Sequence, residues 1–206
     1  MGGTPTPADR GARRSLGPKV GVIALQGAFA EHAAALEALG AHAVLIRDPG
    51  ALAGVDAIVL PGGESTTMSL LLGSSGLGDA LGELLHAGVP AFGTCAGLIL
   101  LACEVTDGRP DQRSFGALDV RVARNGYGRQ RESFEIPLDI PAAGAEPFPG
   151  VFIRSPRITA TGASVSVLAR VDGDPVLVRE GPVLAAAFHP ELSGDLRLHH
   201  LFLERV

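Results

Sequence analysis

The sequence predicts an α/β fold of three layers, α/β/α, around a mostly parallel central sheet, with additional antiparallel strands in the second half. Three observations predict it. In the first half, short apolar runs alternate with segments of helical period across short loops, which argues for a parallel sheet covered on both faces. Glycine-containing turns, Gln26-Gly27, Gly62-Gly63 and Gly93–Gly97, follow three of the apolar runs. Sheets of this kind bind ligands beyond the carboxyl ends of their strands. The second half then changes to short strands separated by turn residues.

Taken in order, residues 1–18 are rich in Gly, Pro, Arg and Ala without periodicity. They are expected to form a disordered extension, leaving one domain over residues 19–206. Lys19–Leu25 (KVGVIAL) is nearly continuous in apolar residues, as a strand buried on both faces should be. Ala28–Leu39 carries Phe29, Ala33, Leu36 and Leu39 at helical spacing and is closed by Gly40. Ala43–Ile46 and Asp56–Leu60 are predicted strands. Pro61–Ser65 (PGGES) breaks the pattern before helices at Thr66–Leu72 and Asp79–His86. Val89–Ala102 reads as a short strand, a sharp turn and an apolar helix. Beyond it, Ala117–Ala123, Ser133–Leu138, Val151–Ile153, Ser164–Arg170 and Pro175–Arg179 are predicted strands, with Asp172-Gly173 as a hairpin turn. Val183–Phe188 is a further strand, and Gly194–Val206 a closing helix.

Composition narrows the function. A net charge of −5 gives no electrostatic support for binding nucleic acid. Two cysteines, Cys95 and Cys103, make neither a CxxC pair nor a disulfide framework, which fits a reducing compartment. No apolar run approaches the ~20 residues of a membrane span. The N-terminal stretch has arginines but no apolar core of a signal peptide. A cytoplasmic protein is the expectation. The histidines form no cluster with ligand spacing, so no metal site is expected.

The turn Gly93-Thr-Cys95-Ala-Gly97 organises the chain. A strand-to-helix elbow of this form holds its central residue in a strained conformation at the top of a sheet. Here the residue is a thiol at a helix N-terminus, where backbone N–H groups favour the thiolate. Such a nucleophile needs a base, and the base needs a third group to orient it. His189 directly follows an apolar strand, with Glu191 two residues on. In an extended segment the two side chains point to the same side, and Pro190 biases His189 to that conformation. His32, His42 and His86 read as surface or capping residues, and His199 and His200 as solvated or partly packed. Acyl transfer also wants two backbone N–H donors for an oxyanion. Ala96, after the nucleophile, and the Gly62-Gly63 turn are the candidates. Cys103 reads as inert core.

Together these stretches resemble the class I, triad-type glutamine amidotransferases, which have a flavodoxin-like fold. Within that class the chain is similar to the glutaminase subunits of pyridoxal 5′-phosphate synthase. The resemblance rests on Gly21–His32 (GVIALQGAFAEH), Leu60–Met68 (LPGGESTTM), Phe92–Ala102 (FGTCAGLILLA), Arg124–Gln130, Gly150–Pro156 and Phe188–Leu192 (FHPEL). It implies hydrolysis of L-glutamine to L-glutamate and ammonia by Cys95, His189 and Glu191 through a glutamyl thioester. It further implies a synthase partner in a hetero-oligomer of paired subunits, with pyridoxal 5′-phosphate as the product of the complex and no cofactor in this chain. Glutamine-binding positions carry over to Gly63, Glu64, Ser65, Arg124, Ile153 and Arg154. Residues 1–18 and 103–115 fall outside the resemblance. From the residues alone, both arginines read as surface side chains, and which one meets the substrate carboxylate stays open. A glutaminase serving another ammonia acceptor and a non-catalytic scaffold are the competing readings; the scaffold predicts a broken triad.

Overall fold

The computed structural model describes residues 17–109, 112–124, 126 and 133–206. The predicted N-terminal extension falls outside the described residues except for residues 17 and 18, as does most of the Arg124–Gln130 stretch.

β1 (Lys19–Ile23) leads through α1 (Phe29–Ala38) to β2 (His42–Ile46), which pairs parallel on one side of β1. β3 (Ala57–Leu60) then pairs parallel on the other side. The winding reverses there, and a crevice opens between the carboxyl ends of β1 and β3. α2 (Ser65–Ser74) and α3 (Leu77–His86) lead to β4 (Ala91–Thr94) beside β3, followed by the short α4 (Ala96–Leu101). Right-handed crossovers require the helices on either side of the reversal to cover opposite faces. Accordingly α1 packs with the closing α5 (Arg197–Leu203), while α2 packs with α3 and α4.

β5 (Ala102–Val105), β6 (Leu118–Ala123) and β9 (Arg157–Thr161) form a small separate sheet. β7 (Ser133–Leu138) and β8 (Phe148–Ile153) form an antiparallel pair. β10 (Ser166–Val171) and β11 (Asp174–Glu180) are joined by Asp172 and Gly173, whose φ values of 51° and 88° suit a two-residue hairpin turn. β12 (Val183–Ala186) pairs antiparallel with β11 and parallel with β4, so the main sheet runs β10-β11-β12-β4-β3-β1-β2. Its five parallel strands continue beyond β12 into two strands joined by antiparallel pairing, β11 and β10, as the sequence predicts. β1, β3, β4 and β12 are the nearly all-buried interior strands.

Three departures have physical reasons. The apolar helix after the elbow ends at Leu101, and β5 begins at Ala102. An apolar run does not by itself distinguish helix from buried strand. β9 escapes prediction because only Ile158 of its five residues is buried. Cys103 is not core: it lies on β5, is exposed, and donates its thiol to the Val120 carbonyl at 3.1 Å.

Glu64 starts α2. Its carboxylate accepts from the N–H groups of Thr66 (3.0 Å) and Thr67 (2.7 Å). Partial burial opposes ionisation, but these bonds and those of the threonine hydroxyls outweigh it, holding the carboxyl down at about 2. A pKa lowered from 4.5 means that the cap contributes fully above pH 4.5 and is lost as the pH falls towards 2. Glu64→Ala should therefore cost about 0.5–2 kcal/mol near neutrality. In urea unfolding the gap to the wild type should close between pH 4.5 and about 2. Ile58 is fully buried in β3, between β1 and β4. Ile58→Ala should cost about 2–5 kcal/mol, whereas Leu70→Ala, on the exposed side of α2, should stay within about 0.5 kcal/mol.

Candidate active site

The strand order β12-β4-β3-β1 places four loops side by side along one edge of the sheet. They carry His189, Cys95, Gly62-Gly63 and Gln26. Cys95 sits between β4 and α4 with φ 47° and ψ −101°, a conformation L-residues rarely adopt. The turn is tight enough that a Cβ on Gly97 would overlap the Leu60 carbonyl, and one on Gly93 would overlap the Gly97 backbone. Cys95 N–H donates to Ala186 O at 2.9 Å, pinning the elbow to β12. Its own carbonyl accepts from Ile99 N–H at 3.3 Å and opens the helix.

His189 follows β12 closely and is tied by its N–H to Val151 O of β8 at 2.8 Å. Its Nδ1–H donates to Glu191 Oε1 at 2.8 Å, with both side chains buried. The contact is not the extended i, i+2 alignment predicted from sequence. Pro190–Leu192 form a 3-10 turn, and that turn folds the carboxylate back onto the ring. Burial alone would lower the imidazole's pKa; hydrogen bonds to Cys95 and Glu191 and their charges overcome this and push it up to about 10. Gly62 backs the pair: a Cβ there would overlap the His189 ring and crowd Cys95 Cβ.

The Gly62 carbonyl accepts from Ala28 N–H at 3.3 Å, across the β1/β3 crevice. In a trans peptide the two polar groups point in opposite directions, so Gly63 N–H is directed away from Ala28. Gln26 Oε1 spans the same crevice and accepts from Glu64 N–H at 2.8 Å.

A cavity of about 310 Å³ opens at this edge. Gly63, Glu64, Ser65, Arg124, Ile153 and Arg154 all line it, together with Cys95 and His189. Gln26 and Ile99 complete the wall; Ile99 carries no sequence signal beyond lying one turn after Cys95. Glu191, Gly62 and Ala96 stand behind it. Arg124 is not a free surface arginine. Its Nε donates to Ser65 Oγ at 3.1 Å, and its Nη2 donates to Glu64 Oε1 at 3.0 Å and Thr66 Oγ1 at 2.8 Å. Arg154 is exposed at the end of β8, with φ 44°.

Two histidines differ from their sequence reading. His32 and His199 are fully buried, behind Glu191. His32 Nδ1 lies 2.9 Å from His199 Nε2, and His32 Nε2 lies 3.1 Å from Thr94 Oγ1 and 3.4 Å from Glu191 Oε2. His86 does cap its helix, through Gly82 O at 2.7 Å, and His42 and His200 are exposed. Cys103 is poorly suited to nucleophilic work: burial, and then the hydrogen bond and charge of Asp119, push its thiol pKa up.

Residues 22–206 match the SNO glutamine amidotransferase family. The pyridoxal 5′-phosphate synthase subunit PdxT of Thermotoga neapolitana is 51% identical over 188 residues, 91% of this chain and 99% of that protein. The protein of the same name from Pelotomaculum thermopropionicum is 54% identical over 91% of this chain and 94% of its own length. A crystal structure of a glutamine amidotransferase superposes with a TM-score of 0.83 at 49% identity, covering 90% of this chain and 97% of that one. A putative GMP synthase component from Thermoplasma acidophilum shares the fold at a TM-score of 0.65 and 17% identity, covering 91% of this chain and 93% of that one. The chain belongs to the SNO glutamine amidotransferase family.

Proposed function

We propose that this chain hydrolyses L-glutamine to L-glutamate and ammonia and hands the ammonia to a synthase subunit that makes pyridoxal 5′-phosphate. The observation that carries the reading is Cys95 at a strained elbow beside His189, with Glu191 on the far nitrogen of the ring. A non-catalytic scaffold has no use for that arrangement.

The steps follow from the protonation states. His189, whose pKa is pushed up to about 10 by its contacts with Cys95 and Glu191, is the base that takes the Cys95 proton and frees the sulfur for attack. The sulfur attacks the side-chain amide carbon of glutamine, and the negative charge moves to the carbonyl oxygen. Ala96 N–H and Gly63 N–H are the donors assigned to that oxyanion. The imidazolium then gives its proton to the departing nitrogen, and ammonia leaves a γ-glutamyl thioester. With the sulfur acylated, His189 loses its contact with the Cys95 sulfur and keeps that with Glu191, and the ring, neutral after giving up its proton, takes one from water. The water attacks the thioester, a second oxyanion forms and collapses, and glutamate departs with Cys95 and His189 restored. Glu191 holds the tautomer throughout.

The substrate's other end is a zwitterion. Arg124 is assigned to the α-carboxylate: Ser65, Glu64 and Thr66 fix its guanidinium in place, so less freedom is lost on binding than at the exposed Arg154. Glu64, ionised down to about pH 2, is the assigned partner of the ammonium. Gly63 and Ser65 contribute polar groups of the α2 entry, and Ile153 and Arg154 the opposite wall, Ile153 through its backbone. The synthase reading further places the complex as a hetero-oligomer in the cytoplasm. Among the described residues no helix is long and apolar enough to cross a membrane. The crevice contacts Ala28–Gly62 and Gln26–Glu64 join the first turn to the oxyanion loop, so a synthase docked near Gln26 has a route to the peptide that faces the substrate.

An ammonia-release assay with glutamine, run with and without the synthase, tests the proposal. Turnover should be low in the isolated chain and rise severalfold or more with the synthase. Cys95→Ala should abolish it, and His189→Ala should cost nearly as much, because the groups act as a unit. Loss of less than about tenfold, or ~1.4 kcal/mol, in His189→Ala would reject the base. A ratio near one with folded partners would reject activation by the synthase.

A further inference from the structure

Glu191 buries an entire carboxylate, and the triad uses one of its oxygens. Oε1 accepts from His189; Oε2 has no conventional hydrogen bond, and the nearest basic nitrogen to it is His32 Nε2 at 3.4 Å. Both side chains are wholly shielded from water. A buried carboxylate oxygen left without a donor is costly, so the state of His32 bears directly on the triad.

The tautomers can be worked out from the contacts. Consider first a proton on His32 Nδ1, directed at His199 Nε2. His199 would then carry its own proton on Nδ1, which is buried with no acceptor. His32 Nε2 would also turn a lone pair towards the anionic Glu191. In the other arrangement His199 donates Nε2–H to His32 Nδ1 across 2.9 Å. His32 donates Nε2–H between Thr94 Oγ1 and Glu191 Oε2. Only an unprotonated nitrogen, His199 Nδ1, is left over, and an unpaired acceptor is better tolerated than an unpaired N–H. The second arrangement satisfies more groups and puts a donor towards the carboxylate.

We propose that His32, oriented by His199, is a positioning residue for the catalytic triad: its Nε2–H restrains the free oxygen of Glu191 and so fixes the carboxylate that orients His189. The relay runs His199, His32, Glu191, His189, Cys95, drawing together α5, α1, the 3-10 turn and the elbow. Thr94, immediately before the nucleophile, holds the same ring from the elbow side. Phe92 of β4 packs edge-on against both His32 and His199, with ring centroids 6.0 and 5.6 Å away, so water does not compete. Burial, followed by the charges of His199 and His189, lowers the His32 pKa well below its usual value; burial lowers that of His199 to about 4. Both rings are thus neutral, as the relay needs. Among the described residues no group of three or more His, Cys, Asp or Glu side chains is arranged to hold a metal ion.

The inference rests on the triad reading, and the experiment separates the two. Glutamine hydrolysis is measured in the chain with its synthase for His32→Leu, His32→Gln and the exposed control His200→Leu. His32→Leu should lose roughly 10–100-fold in kcat, the worth of one hydrogen bond to a charged group, with KM within about twofold because no substrate contact is touched. His32→Gln, which can place an amide N–H near the position of Nε2, should recover most of the loss; His200→Leu should match the wild type. The pH profile of Cys95 alkylation should shift in His32→Leu and return towards the wild type in His32→Gln. Independently of any variant, 15N NMR of the wild-type histidines should show His32 as a neutral Nε2–H ring at pH 7. Unchanged kcat in His32→Leu, equal loss in Leu and Gln, or an Nδ1–H or protonated His32 ring would each overturn the inference. If those results came with Cys95→Ala still inactive, the triad reading would stand; activity in Cys95→Ala would remove the triad itself.

Discussion

The structure depends on one backbone constraint, the positive φ forced on Cys95. A non-glycine residue at such a φ costs on the order of 1–3 kcal/mol and persists only where its surroundings over-determine it. The surroundings here are specific. Gly93 and Gly97 permit the chain to double back against Leu60. The Cys95 N–H is fixed to β12, and its carbonyl begins α4. β4 is locked between β3 and β12. The result is a thiol projecting from a rigid support at the sheet's edge, held there by the core rather than by the binding site around it.

The order of the strands does the rest. The reversal between β2 and β3 brings the ends of β1, β3, β4 and β12 into one row, although they are far apart in sequence. Each loop then supplies one part that the proposed acyl transfer requires: Gln26 braces the loop assigned to the oxyanion, Gly62-Gly63 offers backbone, Cys95 the proposed nucleophile and His189 the proposed proton carrier. The small β5-β6-β9 sheet and the β7-β8 pair contribute the opposite wall through Arg124 and Ile153-Arg154. His189 is held to β8 by its own N–H, so the outer wall and the imidazole are positioned together.

Much of this is legible in the sequence because it is local. The elbow declares itself by glycines two residues either side of Cys95. His189 and Glu191 stand two apart around a proline, although the 3-10 turn that joins them carries no comparable signature. The alternation of apolar runs reveals the parallel strands, while β9, with a single buried residue, leaves no trace. What stays hidden is what depends on distance along the chain. His32 and His199 are 167 residues apart, on helices whose polar residues look solvated until α1 and α5 pack over Phe92. Arg124 looks like a surface charge because its partners, Glu64, Ser65 and Thr66, lie 58 to 60 residues upstream. Cys103 looks buried as long as the apolar run is read as one continuous helix rather than as a helix that ends at Leu101 and a partly exposed strand from Ala102.

If the strain at the elbow serves the chemistry, Cys95 and not Cys103 carries the acyl group. Rapid acid quench of the chain turning over glutamine in the presence of its synthase, followed by intact-mass and peptide mapping, measures this directly. A single γ-glutamyl adduct is expected on the peptide containing Cys95, absent in Cys95→Ala. An adduct on Cys103, or undiminished turnover in Cys95→Ala, would contradict it.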